Sequence, residues 1–178
     1  MVTEGEQAPD FSATTDAGER VRLSDFRGQP VVLYFYPKDD TPGCTAQACG
    51  IRDAYAEFER AGAVVLGISP DDVSEHVKFK EKYGLPFTLL ADAEHEVAER
   101  YGTWGEKRYM GRTYLGVSRT TFLVAPDGTV AKVMHDVKPD TLSRGLKVRR
   151  EDPKPSVVRV GASPDADLLV TEIVLTHK

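Results

Sequence analysis

Two cysteines and one tryptophan are all the chain has of those types in 178 residues, and no apolar stretch approaches the roughly 20 residues that span a bilayer. Two thiols are too few for a disulfide scaffold. His76, His95, His135 and His177 lie scattered without metal-ligand spacing, so a zinc site is disfavoured and each histidine reads as a surface or packing residue. Acidic and basic residues are interspersed, giving a net charge of -5 with no basic stripe to neutralise a phosphate backbone. The N-terminus is acidic and polar, without the basic start and apolar run of a secretory signal. Neither nucleic acid nor membrane is expected as a partner, and the expected compartment is the cytosol. No glycine-rich loop ends in the Lys-Ser/Thr of a nucleotide cradle, and no Cys-x-x-Cys is present.

What is present is alternating strand and helix. Residues 11–23 read as an edge hairpin around the polar turn Asp16-Ala-Gly-Glu19. Pro30-Val-Val-Leu-Tyr-Phe-Tyr36 is a β-branched and aromatic run ended by Pro37, as suits a central strand buried on both faces. Cys44, Ala48, Ile51, Tyr55 and Phe58 then recur at helical spacing with Gly62 past the end, so Cys44 opens an amphipathic helix. A second buried strand (63–69), a helix from Asp72 to Gly84, a third short run (87–91) and a small helix ending before Gly102 follow. Residues 120–124 and 129–134 flank Pro126-Asp-Gly128 and read as a hairpin, completing a mixed α/β sheet with helices on its faces. The segment between, 101–116, is aromatic and glycine-rich and reads as a loop: a pocket wall, a docking surface, or ordinary packing. Beyond Asp140 the texture changes to a charged, proline-bearing linker (148–155) and a strand-like run (168–175). The expected division is a domain over 1–140 and an atypical extension over 141–178, disordered or strand-like.

The chemistry concentrates in Tyr36-Pro-Lys-Asp-Asp-Thr-Pro-Gly-Cys-Thr-Ala-Gln-Ala-Cys49, between a buried strand and a helix start. A thiol attacks only as thiolate, and a cysteine in a first helical turn faces free N–H groups and the positive end of the helix dipole. Cys44 is placed to ionise, although a free cysteine is also a common core residue. Thr41 offers a hydroxyl for a thiolate or a peroxide, or serves as a local turn residue. Pro37 and Pro42 stiffen the loop. Cys49 lies five residues on. In an intact helix the two Cα atoms stand roughly 8–9 Å apart, whereas a disulfide needs about 7 Å or less, so any Cys44–Cys49 bond requires the first helical turns to unwind. Cys49 is otherwise incidental. Arg119, just ahead of an apolar strand, is either a solvated arginine or a cation pointing into a pocket at a strand end.

Pro37-x-x-x-Thr41-x-x-Cys44 with Arg119 resembles the active-site pattern of the peroxiredoxins. With Trp104-Gly-Glu-Lys, Met110-Gly-Arg-Thr-Tyr and Ser118-Arg-Thr-Thr-Phe, it resembles in particular the bacterioferritin comigratory protein, or peroxiredoxin Q, subfamily over residues 5–140. The resemblance implies a thioredoxin-like fold with an N-terminal hairpin extension and a thiol peroxidase acting on hydrogen peroxide and organic hydroperoxides. It implies Cys44 as the peroxidatic cysteine, Thr41 and Arg119 orienting the peroxide, Pro37 shaping the pocket, and Cys49 resolving a sulfenic acid as an intramolecular disulfide. Thioredoxin or a similar dithiol would restore the thiols; no cofactor or metal is implied, and a monomer or weak homodimer is expected. The tail departs from the pattern, because family members typically finish with a helix. A redox sensor or holdase, a thiol–disulfide exchange enzyme, and an α/β domain with inert cysteines are the competing readings, and thioredoxin-coupled turnover with peroxide separates them.

Overall fold

In the computed structural model the described residues are 1–135 together with three strands beyond them, at 146–151, 159–161 and 171–176. The N-terminal hairpin pairs β1 (Ser12–Thr15) with β2 (Arg20–Arg22). β3 (Val31–Phe35) leads into α1 (Pro42–Asp53) and α2 (Tyr55–Arg60), then β4 (Val64–Ser69), α3 (Val73–Tyr83), β5 (Thr88–Ala91) and α4 (Glu96–Tyr101). β6 (Trp104–Tyr109) and β7 (Arg112–Val117) form a two-stranded sheet of their own, and β8 (Thr120–Val124) and β9 (Val130–His135) close the central sheet. The central sheet runs β2-β1-β5-β4-β3-β8-β9, parallel through β5, β4 and β3 and antiparallel elsewhere.

The alternation of side chains along β3 divides the core in two. Val32, Tyr34 and Tyr36 face the cluster under α1, α2 and α3, with Cys44, Ala48, Ile51, Phe58 and Phe79. Val31, Leu33 and Phe35 face the cluster under α4 and the N-terminal segment, with Phe11, Val97, Tyr101 and Phe122. Because both faces are covered, the strand reads as an unbroken apolar run rather than an alternating one. α3 starts at Asp72, whose side chain accepts from the Glu75 N–H at 2.9 Å, and stops at Gly84, whose φ of 60° is one that glycine adopts without strain.

Three expectations are corrected. The helix opened by Cys44 is not continuous: Ala54, with ψ near 4°, separates α1 from α2, although Tyr55 and Phe58 still pack on the same core. The segment expected as a loop over 101–116 is ordered: Tyr101 ends α4, and from Trp104 the chain folds into the β6–β7 hairpin, whose two turn residues Met110 and Gly111 both have positive φ, 47° and 75°, the turn that matches the twist of paired strands. The proposed linker over 148–155 begins inside a strand, β10 (Leu146–Glu151), which pairs with β12 (Thr171–Thr176); β11 (Arg159–Gly161) completes that three-stranded sheet. β12 overlaps the strand-like run expected over 168–175, and the rest of the tail lies outside the described residues.

Candidate active site

Topology brings together what the sequence separates. Phe35, the last residue of β3, pairs with Thr120, the first of β8. Arg119 therefore stands beside the end of β3, where the chain turns through residues 37–41 into α1. Arg119 Nη2 donates to Cys44 Sγ at 3.1 Å and Nη1 donates to Gln47 Oε1 at 3.0 Å. Gln47 follows Cys44 by three residues and so shares its helix face. Arg119 is thus half-buried, with its guanidinium turned onto Cys44 and Gln47.

Cys44 is the third residue of α1, after Pro42 and Gly43, in the register where proline costs the helix no hydrogen bond. The first intrahelical bond described runs from Thr45 N–H to the Thr41 carbonyl at 2.8 Å. The N–H groups of Gly43 and Cys44 lie ahead of that ladder, at the positive end of the dipole. Cys44 is only 1% exposed and packs with Tyr34, Tyr36 and Ala48. It is therefore a core residue and a paired thiol at once. Gln47 is equally buried and its Nε2 has no partner among the described residues, so an amide donor stands unused there beside the Arg119–Cys44 contact.

Thr41 caps α1 without a side-chain cap bond; its hydroxyl donates to the Lys38 carbonyl at 3.1 Å, holding the loop's own turn. Pro37 is exposed at the exit of β3. Cys49 is half-buried further along α1, and both cysteines are free thiols. Both lie within one helix, so the 8–9 Å separation estimated from helix geometry applies to this state.

Gln47 and the loop's inward anchor, Asp39 with His76, were not legible as site residues. Asp39 is buried and accepts from the Tyr36 hydroxyl at 2.6 Å; His76, fully buried, lies 2.6 Å from its other oxygen. His76 is a packing residue as expected of a lone histidine, but one in contact with a buried carboxyl group. Burial alone would lower its pKa; the hydrogen bond and charge of Asp39 outweigh this and raise it. Burial pushes the Tyr36 hydroxyl well above its ordinary range and keeps it a donor. The chemical capacity of the site is a buried sulfur with a guanidinium, an amide donor and helix N–H groups beside it, an arrangement that meets negative charge developing on an oxygen attached to that sulfur. Among the described residues no group of three or more histidine, cysteine or acidic side chains could hold a metal ion, and no helix is long and apolar enough to cross a membrane.

The sequence model of the AhpC/TSA family matches residues 4–133. Peroxiredoxin Bcp of Escherichia coli strain K12 is 52% identical over 134 residues, 75% of this chain and 86% of that protein. Peroxiredoxin Bcp of Bacillus subtilis strain 168 is 48% identical over 134 residues, covering 75% and 85%. The solved bacterioferritin comigratory protein of Xanthomonas campestris, described for alkyl peroxide reduction through trapped intermediate and ligand complexes, superposes with a TM-score of 0.71 at 34% identity, covering 75% of this chain and 85% of that one. The mixed sheet and its helices are accordingly a thioredoxin-like fold.

Proposed function

Since the chain belongs to the AhpC/TSA family, as a peroxiredoxin similar to Bcp, and is a thiol-dependent peroxidase, we propose that Cys44 is its peroxidatic cysteine and that hydrogen peroxide and alkyl hydroperoxides are its substrates. The observation that carries the assignment is the 3.1 Å contact from Arg119 to a sulfur in the first turn of a helix. The Cys44 thiolate attacks one peroxide oxygen, the O–O bond breaks, and that oxygen stays on sulfur as a sulfenic acid. The other oxygen leaves with the electron pair and takes a proton, giving water or an alcohol. Arg119 and the Gln47 amide meet the charge that develops on oxygen. Thr41 and Pro37 shape the approach, with the Thr41 hydroxyl free to exchange its Lys38 contact for the peroxide.

Cys49 then attacks the Cys44 sulfur, expelling water and forming the disulfide, which requires the first turns of α1 to unwind. Thioredoxin or a similar dithiol accepts the disulfide and returns both thiols. We place the protein in the cytosol as a monomer or weak dimer, and assign catalysis to residues 1–140, with the extension over 141–178 contributing little. The test is NADPH consumption coupled through thioredoxin and its reductase with hydrogen peroxide, comparing the full chain with Cys44→Ser. A wild-type rate abolished in the variant is expected. A variant that cycles as fast as wild type, or a wild-type Cys44 that does not oxidise, overturns the assignment.

A further inference from the structure

The loop ahead of Cys44 carries two successive aspartates that are held on opposite sides. Asp40 adopts a φ of 55°, a left-handed conformation that aspartate tolerates better than most residues. Asp39 is buried and Asp40 is exposed. Both are held by α3. On the inner side, the Asp39 carboxylate contacts His76 Nδ1 and accepts from Tyr36, each at 2.6 Å, and its backbone N–H donates to Asp71 Oδ2 at 2.8 Å. His76 Nε2 lies 3.1 Å from the Leu90 carbonyl. A carbonyl oxygen only accepts, so Nε2 carries a proton; with the carboxylate at Nδ1, the ring is placed to carry both. The groups around this pair are Tyr34 of β3 and Tyr36 just past it, Ser69 at the end of β4, Asp71 from the β4–α3 connection and the Leu90 carbonyl from β5. On the outer side, Asp40 accepts from Lys82 Nζ at 2.7 Å and from the Tyr83 hydroxyl at 2.6 Å. Arg52 of α1 donates to the Tyr83 carbonyl at 2.6 Å, so the same end of α3 also grips α1.

We propose that α3 is a latch on the loop that precedes Cys44, with His76, Lys82 and Tyr83 as its positioning residues. The His76–Asp39 pair and the Lys82 and Tyr83 contacts to Asp40 hold residues 37–43 where Cys44 meets Arg119, and they set the cost of unwinding the first turns of α1. The inference rests on the assignment of Cys44 and Cys49 above. It has a signature that loss of packing alone lacks. Peroxide attack needs the loop held, whereas disulfide closure needs it released, so weakening the latch slows the first step and speeds the second.

The experiment mixes the reduced full chain rapidly with hydrogen peroxide, quenches with acid, and follows Cys44 sulfenic acid and the Cys44–Cys49 disulfide by mass spectrometry. Four chains are compared: wild type, His76→Gln, His76→Asn, and the double variant Lys82→Met with Tyr83→Phe. Glutamine retains a donor toward Leu90 but gives up the contact with Asp39, while asparagine places a donor where Nδ1 stood. With charge-assisted hydrogen bonds removed, His76→Gln is expected to oxidise about tenfold more slowly and close about tenfold faster; His76→Asn falls between it and wild type. The double variant alters only exposed contacts, so it decides the matter if His76→Gln does not fold, with shifts of about threefold in the same directions. Both steps unchanged, or both slowed together, in the folded variants overturns the latch. A wild type that forms no sulfenic acid overturns the peroxidase assignment instead.

Discussion

Replacing Arg119 by methionine keeps much of the apolar stem and removes the guanidinium, which isolates the contribution proposed for it in the attack on peroxide. In the folded state that guanidinium donates to Cys44 at 3.1 Å and to Gln47 at 3.0 Å, against a sulfur that is 1% exposed. A hydrogen bond to a charged group contributes about 1.5–3 kcal/mol. At about 1.4 kcal/mol per factor of ten, losing the Arg119–sulfur contact in the transition state slows Cys44 oxidation by roughly 10- to 150-fold. Gln47, whose Nε2 is already unpartnered, also loses the partner of its Oε1, which pushes the effect toward the upper end. Arg119→Lys should recover only part of the rate, because an ammonium on a flexible stem does not serve sulfur and amide together as the planar fork does. The assay is the second-order rate constant for Cys44 oxidation by hydrogen peroxide, with circular dichroism confirming the fold. A folded Arg119→Met within threefold of wild type would falsify the reasoning.

Three further outcomes are expected. Cys49→Ser should still form the Cys44 sulfenic acid but fail to cycle with thioredoxin; undiminished cycling moves the resolving role to another thiol. Gly67→Ala places a Cβ 2.6 Å from the Tyr34 ring and 2.8 Å from Leu89, against a tyrosine stacked on Tyr36 at 5.2 Å and edge-on to Phe87 at 5.9 Å; overpacking of about 2–3 kcal/mol should lower the urea midpoint, and an unchanged midpoint refutes it. His76 has a folded pKa raised above its unfolded value of about 6.5, so its stabilisation is fully present below that pH and is lost as pH rises through the folded value. The urea midpoint of wild type should therefore fall toward that of His76→Gln as pH rises, and a gap that widens instead contradicts the sign.

The elements that position the site were legible where burial was two-sided or helical: β3 as an unbroken apolar run, α1 from its spacing, α3 from Asp72 and Gly84. The β6–β7 hairpin was not, because it packs neither face continuously; Tyr109, Met110, Tyr114 and Leu115 are exposed, so no alternation marks its strands. Its turn left one local signal, Gly111, whose positive φ the glycine supplies, but Met110 shares that conformation without advertising it. Within the site, Cys44 stood out because its neighbours and its place at a helix start could be read together. Read from the residues alone, Arg119 became specific only through its contact with Cys44, 75 residues earlier, which the Phe35–Thr120 register brings about and no local pattern encodes. Asp39 and Asp40 look alike in the sequence as polar loop residues; burial, which distinguishes them, is a property of the assembled fold.

Burial and reactivity are compatible at Cys44 because the two halves of the proposed cycle make opposite demands on one segment. Attack on peroxide requires a sulfur excluded from water and held against donors, which a core position at a helix N-terminus supplies. Resolution requires that same turn to leave the core. If apolar packing alone held residues 37–43, release would expose hydrophobic area at about 25 cal/mol per Å², with no compensating contact to water. The loop is instead anchored by carboxylates: Asp39 to His76 and Tyr36, Asp40 to Lys82 and Tyr83. Polar groups that part company regain water in return, so such contacts specify a geometry strongly while each charge-assisted hydrogen bond adds only about 1.5–3 kcal/mol to the cost of release, the scale on which the latch sets unwinding. Placing the apolar contacts of the segment mainly in Ala48 and Ile51, and polar anchors ahead of Cys44, leaves the later turns of α1 as a fixed base on which the first turns can open and reclose.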